Sequence, residues 1–188
     1  EEKIFRPVKS KAITRGMEHL LWACYKCHTR NSIEVTTGHS LKCSNCGTEW
    51  QVANDYSLTT SSTSQSLSST QWIKQIEADV LDYPLNRELP FTLEKDEKAH
   101  LHTPIVRYNT EETVVENGDL GLTLSNQRVV LSDKQTLLYS WSLANITIFT
   151  MDYFNAVSIG VGGVRHSFKL PPHEITLKWQ TYFDMLMG

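Results

Sequence analysis

Cys24-Tyr25-Lys26-Cys27 and Cys43-Ser44-Asn45-Cys46-Gly47 decide the reading of the front of this chain. They are the four cysteines of the sequence, arranged as two CxxC knuckles with fifteen residues between them. Two knuckles at that separation make one tetrahedral four-thiolate site, and the metal that suits four thiolates is zinc. A pair of redox dithiols and a pair of disulfides are the competing readings. CxxC thiols serve metal or redox chemistry more often than structural bridges, so zinc is favoured, and a reducing, cytoplasmic setting with it. The expected cofactor is one structural Zn2+ per chain, held by Cys24, Cys27, Cys43 and Cys46.

Outward from the knuckles the pattern is β. Ser32 to Thr36 alternates and is rich in β-branched residues, Thr37-Gly38-His39 is a turn, and Ser40 to Lys42 leads to the second knuckle. Thr48 to Val52 alternates again. Strand, knuckle, turn and strand in this order describe a zinc ribbon. A unit so small buries too little apolar surface to fold unaided, so the metal must supply the difference. The residue after each knuckle needs positive φ. Gly47 reaches it without a Cβ clash, and His28 stands at the matching place as a residue type that tolerates it. His28 as a metal ligand is the sharper alternative, but four cysteines already close the shell.

Thr59 to Thr70 (T-T-S-S-T-S-Q-S-L-S-S-T) is polar and of low complexity, and is expected to be a linker at the domain boundary. The division expected is therefore a basic arm and ribbon at 1–58, a linker at 59–70 and a second domain at 71–188. Ser69 or Thr70 can cap a helix from about Gln71 to Leu81, with Trp72, Ile76 and Val80 on one face and Tyr83-Pro84 as its stop. The expected dock for that face is the following sheet.

From Pro90 the texture is β. Candidate strands are Phe91–Lys95, Ala99–Thr103, Ile105–Asn109, Leu120–Leu124, Val129–Leu131, Leu137–Trp141, Ile146–Phe149, Ala156–Ile159 and Arg165–Leu170, with turn signals such as Asn117-Gly118 between them. Gly160-Val161-Gly162-Gly163 lies between strands and reads as a hairpin. Ile175, Trp179, Tyr182, Phe183 and Leu186 then form one helical stripe. The fold class is mainly β with two or three helices (α+β). A four-cysteine ribbon is followed by a barrel or sandwich closed by a C-terminal amphipathic helix, which is the plan of a PH-like domain. Gly118 to Arg128 and Trp141 to Ile146 resemble the strand pattern of GRAM and PH domains.

The net charge is -3 from 18 basic and 21 acidic residues, and it is unevenly spread. Between Lys3 and Lys42 lie Lys3, Arg6, Lys9, Lys11, Arg15, Lys26, Arg30 and Lys42 against Glu18 and Glu34. Such an excess offers a surface to an anionic membrane, to nucleic acid or to the acidic half of the chain. For nucleic acid, Trp50 or Tyr25 beside Lys26 and Arg30 would stack and neutralise, against the plainer reading in which Trp50 packs the ribbon's own core. No nucleophile elbow, P-loop or Gly-rich phosphate turn is present. His100 and His102, at i and i+2 on one strand, are read as solvent-facing, with metal binding as the alternative. Asp133, Asp152 and Asp184 have no evident catalytic partner.

The run Arg15-Gly16-Met17-Glu18-His19-Leu20-Leu21-Trp22-Ala23-Cys24-Tyr25-Lys26-Cys27 resembles a segment of bacterial lysophospholipid acyltransferases, in a C-terminal extension that some of them carry. There a basic arm and a CxxC…CxxCG ribbon precede a Trp-bearing helix, a G-x-L-x-L strand and a final K-W helix. Lys3 to Lys11, Cys24 to Gly47, Trp72, Gly118 to Leu122 and Lys178-Trp179 match in that order. Tyr25 and His28 depart from the Pro and Gly usual in the first knuckle. The family's catalytic HxxxxD is absent, since no histidine here has an aspartate five residues on. The resemblance implies an accessory region, not an enzyme in its own right. It would be a piece of a longer protein, and it would face an anionic membrane at the inner face or an N-terminal acyltransferase domain, with nucleic acid as the second choice. No apolar run approaches the roughly 20 residues that span a bilayer.

Overall fold

The computed structural model describes residues 12–60, 63–79, 81, 82, 85, 88–116, 119–152, 155–172 and 174–188. Lys3, Arg6, Lys9 and Lys11 of the basic arm, the Tyr83-Pro84 helix stop and the Asn117-Gly118 turn lie outside the described residues. Among the described residues, fourteen strands and three α-helices make a mainly β chain, and it divides into two compact units, Glu1–Val80 and Leu81–Gly188.

The first unit holds one antiparallel meander of five strands, β1 (Ile33–Thr37), β2 (Ser40–Cys43), β3 (Glu49–Val52), β4 (Ser57–Thr60) and β5 (Thr63–Ser68), each paired with the next. A short helix α1 (Met17–Leu20) precedes it and helix α2 (Ser69–Asp79) follows. Strand β3 shows why the sheet has one core face. Trp50 and Val52 are buried while Glu49 and Gln51 are exposed, the period-two pattern of a half-covered strand.

The Ser/Thr-rich tract is not a linker between the units: most of it is strands β4 and β5, a hairpin in the first unit's sheet. Leu58 pairs with Leu67 and Thr59 with Ser66, while β4 pairs on its other side with β3. Low hydrophobicity argues against an independent core, but a strand added to an existing sheet edge needs only backbone partners and one buried anchor. Leu58, fully buried, is that anchor.

Helix α2 also belongs to the first unit. Ser68, one residue before the caps expected from sequence, forms a capping box. Its hydroxyl accepts from Gln71 N at 3.1 Å, and Gln71 Oε1 accepts from Ser68 N at 2.8 Å. The buried face carries Trp72 and Ile76. That face turns to the four-cysteine part of its own unit. The Trp72 indole donates to Ala23 O at 2.7 Å, and its ring centroid lies 4.6 Å from that of Trp50.

The second unit has two sheets. One runs in the order β11 (Leu137–Ser142), β10 (Arg128–Ser132), β9 (Gly121–Ser125), β6 (Ala99–Pro104). The other runs β12 (Ile146–Asp152), β13 (Ala156–Val161), β14 (Val164–Lys169), β7 (Arg107–Asn109), β8 (Val114–Val115). The chain changes sheets between β6 and β7. Ile105 N bonds to Leu120 O in the first sheet's territory, and Val106 N to Lys169 O in the second's, both at 2.8 Å. Leu101, Leu122, Leu124, Leu131, Ile159 and Phe168 are among the fully or nearly fully buried side chains of this unit. Helix α3 (Thr176–Met187) packs on β12, with Phe183 stacked on Phe149 at 4.0 Å between centroids. Gly162 and Gly163 join β13 to β14 with φ of 58° and 83°, the positive pair that a two-residue type I′ hairpin requires.

Phe91–Lys95, expected as a strand, is instead an irregular strap. The guanidinium of Arg128 organises it, donating through Nε and Nη2 to both Glu97 oxygens at 2.9 Å and through Nη2 to Thr92 O at 3.3 Å. Glu94 Oε1 lies 2.7 Å from Nη1. With Glu97 fully buried, this bidentate pair fastens the strap to the sheet and takes the place of a ladder.

Candidate metal centre

Each knuckle is built by the same backbone geometry. In the first, Cys24 N donates to Thr29 O at 3.0 Å and His28 N to Cys24 O at 2.9 Å. In the second, Cys43 N donates to Thr48 O and Gly47 N to Cys43 O, both at 2.9 Å. The turning residue has positive φ in both, 58° at His28 and 70° at Gly47, as the sequence reading expects. Cys27 N and Lys26 N point at Cys24 Sγ from 3.4 and 3.3 Å, and Cys46 N points at Cys43 Sγ from 3.4 Å. Backbone amides aimed at sulfur stabilise negative charge there.

The two knuckles bring their sulfurs to one point. Cys24 Sγ lies 3.7 Å from Cys46 Sγ, and Cys27 Sγ 3.7 Å from Cys43 Sγ. All four ligand atoms fall within 4.8 Å of one another. A zinc–sulfur bond of about 2.3 Å makes a tetrahedron of edge about 3.8 Å, whereas a disulfide needs sulfurs about 2.05 Å apart. The measured separations match the tetrahedron, and the cysteines are free thiols. The four cysteines are therefore gathered as a metal-binding cluster, and the residues present fit a zinc ion. Among the described residues no other group of three or more His, Cys, Asp or Glu side chains gathers in this way.

The four sulfurs differ electrostatically. Burial pushes the Cys24 thiol well above its ordinary range, against the pull of the Cys27 and Lys26 amides. Burial also raises Cys27, but the Thr29 hydroxyl and amide and the Asn45 side chain outweigh it and bring it down to about 6. The Thr48 hydroxyl lowers Cys46. Thr29 Oγ1 is 3.3 Å from Cys27 Sγ, and Thr48 Oγ1 is 3.2 Å from Cys46 Sγ. Asn45 Nδ2 donates to Thr29 Oγ1 at 2.9 Å, linking one knuckle to the other. These outer partners orient the ligands and tune their basicity. Sequence reasoning missed them, although the signal is there: both knuckles read C-x-x-C-x-T.

His28 is not drawn into the cluster. Its Nδ1 lies 2.8 Å from Asp79 Oδ2 at the end of α2, so the helix and the first knuckle share an ion-pair contact when the ring is protonated. Trp50 is buried against Trp72, the plainer of its two readings, which removes it as a stacking platform. Tyr25 and Lys26 are exposed. In the second unit His100 is buried and His102 half-buried, so neither faces solvent as the polar stretch around them suggests. The cause is cover: His100 lies 5.6 Å from the Tyr182 ring of α3, and His102 Nδ1 is 2.8 Å from Thr123 Oγ1.

Asp133, Asp152 and Asp184 each accept a local hydrogen bond. Asp133 Oδ1 accepts from Gln135 N and Thr136 N at 2.8 and 2.7 Å, Asp152 Oδ1 accepts from Ala156 N at 2.9 Å, and Asp184 Oδ1 accepts from Gln180 Nε2 at 2.6 Å. No helix among the described residues is long and apolar enough to cross a membrane. No protein-family model matches the chain, and no curated protein matches it either.

Proposed function

We propose that the chain is a non-catalytic binding region, a structural zinc ribbon joined to a PH-like β unit, that serves as the accessory part of a membrane-lipid acyltransferase. The observation that carries the non-catalytic half is the closed donor set. Four sulfurs at tetrahedral spacing leave a zinc ion no position at which to hold and activate water, and zinc there contributes folding energy. Cys24, Cys27, Cys43 and Cys46 would hold it, and the knuckle amides with Thr29 and Thr48 would stabilise their charge.

The PH-like reading is supported by the strand order of the second unit. Its first long strand breaks at Ile105-Val106 and feeds both sheets, the short β8 pairs with β7, six further strands follow as β9–β11 and β12–β14, and helix α3 comes last. The acyltransferase context rests on the resemblance of Arg15 to Cys27 and of the motifs that follow it. The clustering of basic residues between Lys3 and Lys42 supports an anionic target for the first unit. Residues 1–80 carry nine basic and eight acidic residues, and residues 81–188 nine basic and thirteen acidic, so the first unit is the less acidic of the two, with eight of its nine basic residues between Lys3 and Lys42.

Vesicle co-sedimentation of the zinc-loaded chain tests this reading. Binding is expected to vesicles rich in phosphatidylglycerol and not to pure phosphatidylcholine, and to weaken as salt rises. The reading falls if the chain binds neither vesicle type and does not associate with a lysophospholipid acyltransferase domain. A salt-sensitive shift with single-stranded RNA in place of vesicle binding would turn the assignment to nucleic acid.

A further inference from the structure

The four cysteines of the cluster are unequally covered. Cys24 is 1% exposed and Cys43 0%, Cys27 is half-buried, and Cys46 lies at the surface. A metal at the centre of the tetrahedron covers each sulfur from the inside only, so it leaves the outer side of Cys46 open to solvent.

The two knuckles also differ in what they offer each other. Asn45, third in the second knuckle, reaches across the cluster to Cys27 Sγ at 3.6 Å and to Thr29 Oγ1 at 2.9 Å. The matching residue of the first knuckle is Lys26, which is exposed. Among the described residues its side chain makes no such bond to Cys46 or Thr48, and Cys46 keeps the Thr48 hydroxyl at 3.2 Å as its outer side-chain partner. Cys46 is therefore the corner of the tetrahedron that its neighbours leave uncovered.

A second thiolate stands beside it. Cys24 Sγ is 3.7 Å from Cys46 Sγ, and closing to a disulfide length needs a movement of about 1.7 Å. An accessible sulfur next to a resolving one is the arrangement on which peroxide oxidation acts. The buried member of the pair also sits where the first knuckle holds α2. Trp72 Nε1 donates to the carbonyl of Ala23, and Asp79 Oδ2 lies 2.8 Å from His28 Nδ1.

Taking the cluster as a zinc site, we propose that Cys46 is the position at which a hydroperoxide oxidises this chain, and that its oxidation releases the metal and frees α2. The Cys46 thiolate attacks one peroxide oxygen. The O–O bond breaks, the departing oxygen takes a proton and leaves as water, and Cys46 becomes a sulfenic acid. The Cys24 thiolate then attacks that sulfur and expels hydroxide, which takes a second proton and leaves as water. Two electrons pass from the two thiolates to the peroxide, and one Cys24–Cys46 disulfide forms. Cys27 and Cys43 remain, and two thiolates do not close a four-coordinate shell. A thiol reductant reverses the step.

Hydrogen peroxide added to the full zinc-loaded chain tests this. Free zinc is read with a chromophoric chelator, and disulfides by mass analysis of unreduced peptides. Zinc loss is expected with Cys24–Cys46 as the first bond, and dithiothreitol with zinc should restore the starting state. Hydrogen exchange should quicken in α2 and β1–β3 and stay unchanged in β9, β10 and β13. Iodoacetamide, which needs no variant, should label Cys46 at least about tenfold faster than Cys24 or Cys43. Lys26→Asn, at an exposed position, supplies the missing cover and should slow zinc loss without lowering zinc content. A chain purified under reducing conditions without zinc overturns the structural zinc site itself. Zinc retained through a large peroxide excess overturns the oxidation of Cys46 alone. So does a first disulfide within one knuckle, equal labelling of the four cysteines, or a Lys26→Asn chain that loses zinc as fast as wild type.

Discussion

Replacing Trp72 by alanine should unfold the first unit before it disturbs anything in the second. Trp72 sits on α2, 49 residues after Ala23, yet its indole donates to the Ala23 carbonyl from a fully buried position. Its ring lies 4.6 Å from Trp50 and 6.0 Å from Tyr25, so it is the plug between helix, sheet and first knuckle. Deleting a buried tryptophan costs about 3–5 kcal/mol, and the Ala23 carbonyl left without its donor places this case at the upper part of that range. That is a large share of what a unit of this size can hold in reserve. Trp72→Phe keeps most of the ring and removes the donor, so it should cost about 1–3 kcal/mol. Amide hydrogen exchange resolved along the chain is the assay. In Trp72→Ala, exchange of β2 and β3 amides should speed up by about two to four orders of magnitude, while β9, β10 and β13 keep their protection. Equal acceleration in both units, or none in the ribbon, would refute the assignment of α2 to the first unit.

Metal analysis should find one zinc per chain, and chelation should strip exchange protection from β1–β3 while leaving the second unit protected; a zinc-free chain with two disulfides would refute the cluster. Gly47→Ala should lower the stability of the ribbon by about 1–2 kcal/mol, because a Cβ at φ of 70° meets the following carbonyl; a neutral effect in zinc-dependent thermal melts would show that the second knuckle can relax. Glu97→Gln should destabilise the second unit by about 3–5 kcal/mol in urea unfolding, since it leaves the buried Arg128 guanidinium short of its bidentate partner. The same pair sets an acid limit. Burial raises Glu97, but hydrogen bonds from Arg128 and the Glu94 amide hold its folded-state pKa below the ordinary carboxylate value. Its contribution is therefore fully present above that ordinary value and is lost as pH falls through the depressed one. Wild type should lose stability across that acidic window by an increment absent from Glu97→Gln; parallel pH profiles would refute the coupling.

What was legible in the sequence is what the chain settles over short distances. The knuckles, the positive φ at His28 and Gly47 and the Gly162-Gly163 hairpin each depend on residues within a turn of one another, so spacing and residue type suffice. The misreadings share the opposite character. Thr59–Thr70 is polar enough to look unstructured, and only the waiting edge of β3 and the burial of Leu58 make a hairpin of it. Phe91–Lys95 alternates like a strand, but Arg128, more than thirty positions away, spends its guanidinium on Glu97, Glu94 and Thr92 O and draws the segment into a strap. His100 and His102 look solvated until α3 and Thr123 are brought against them. The candidate site follows the same rule. The cysteine cluster announces itself because a metal imposes its own spacing on its ligands.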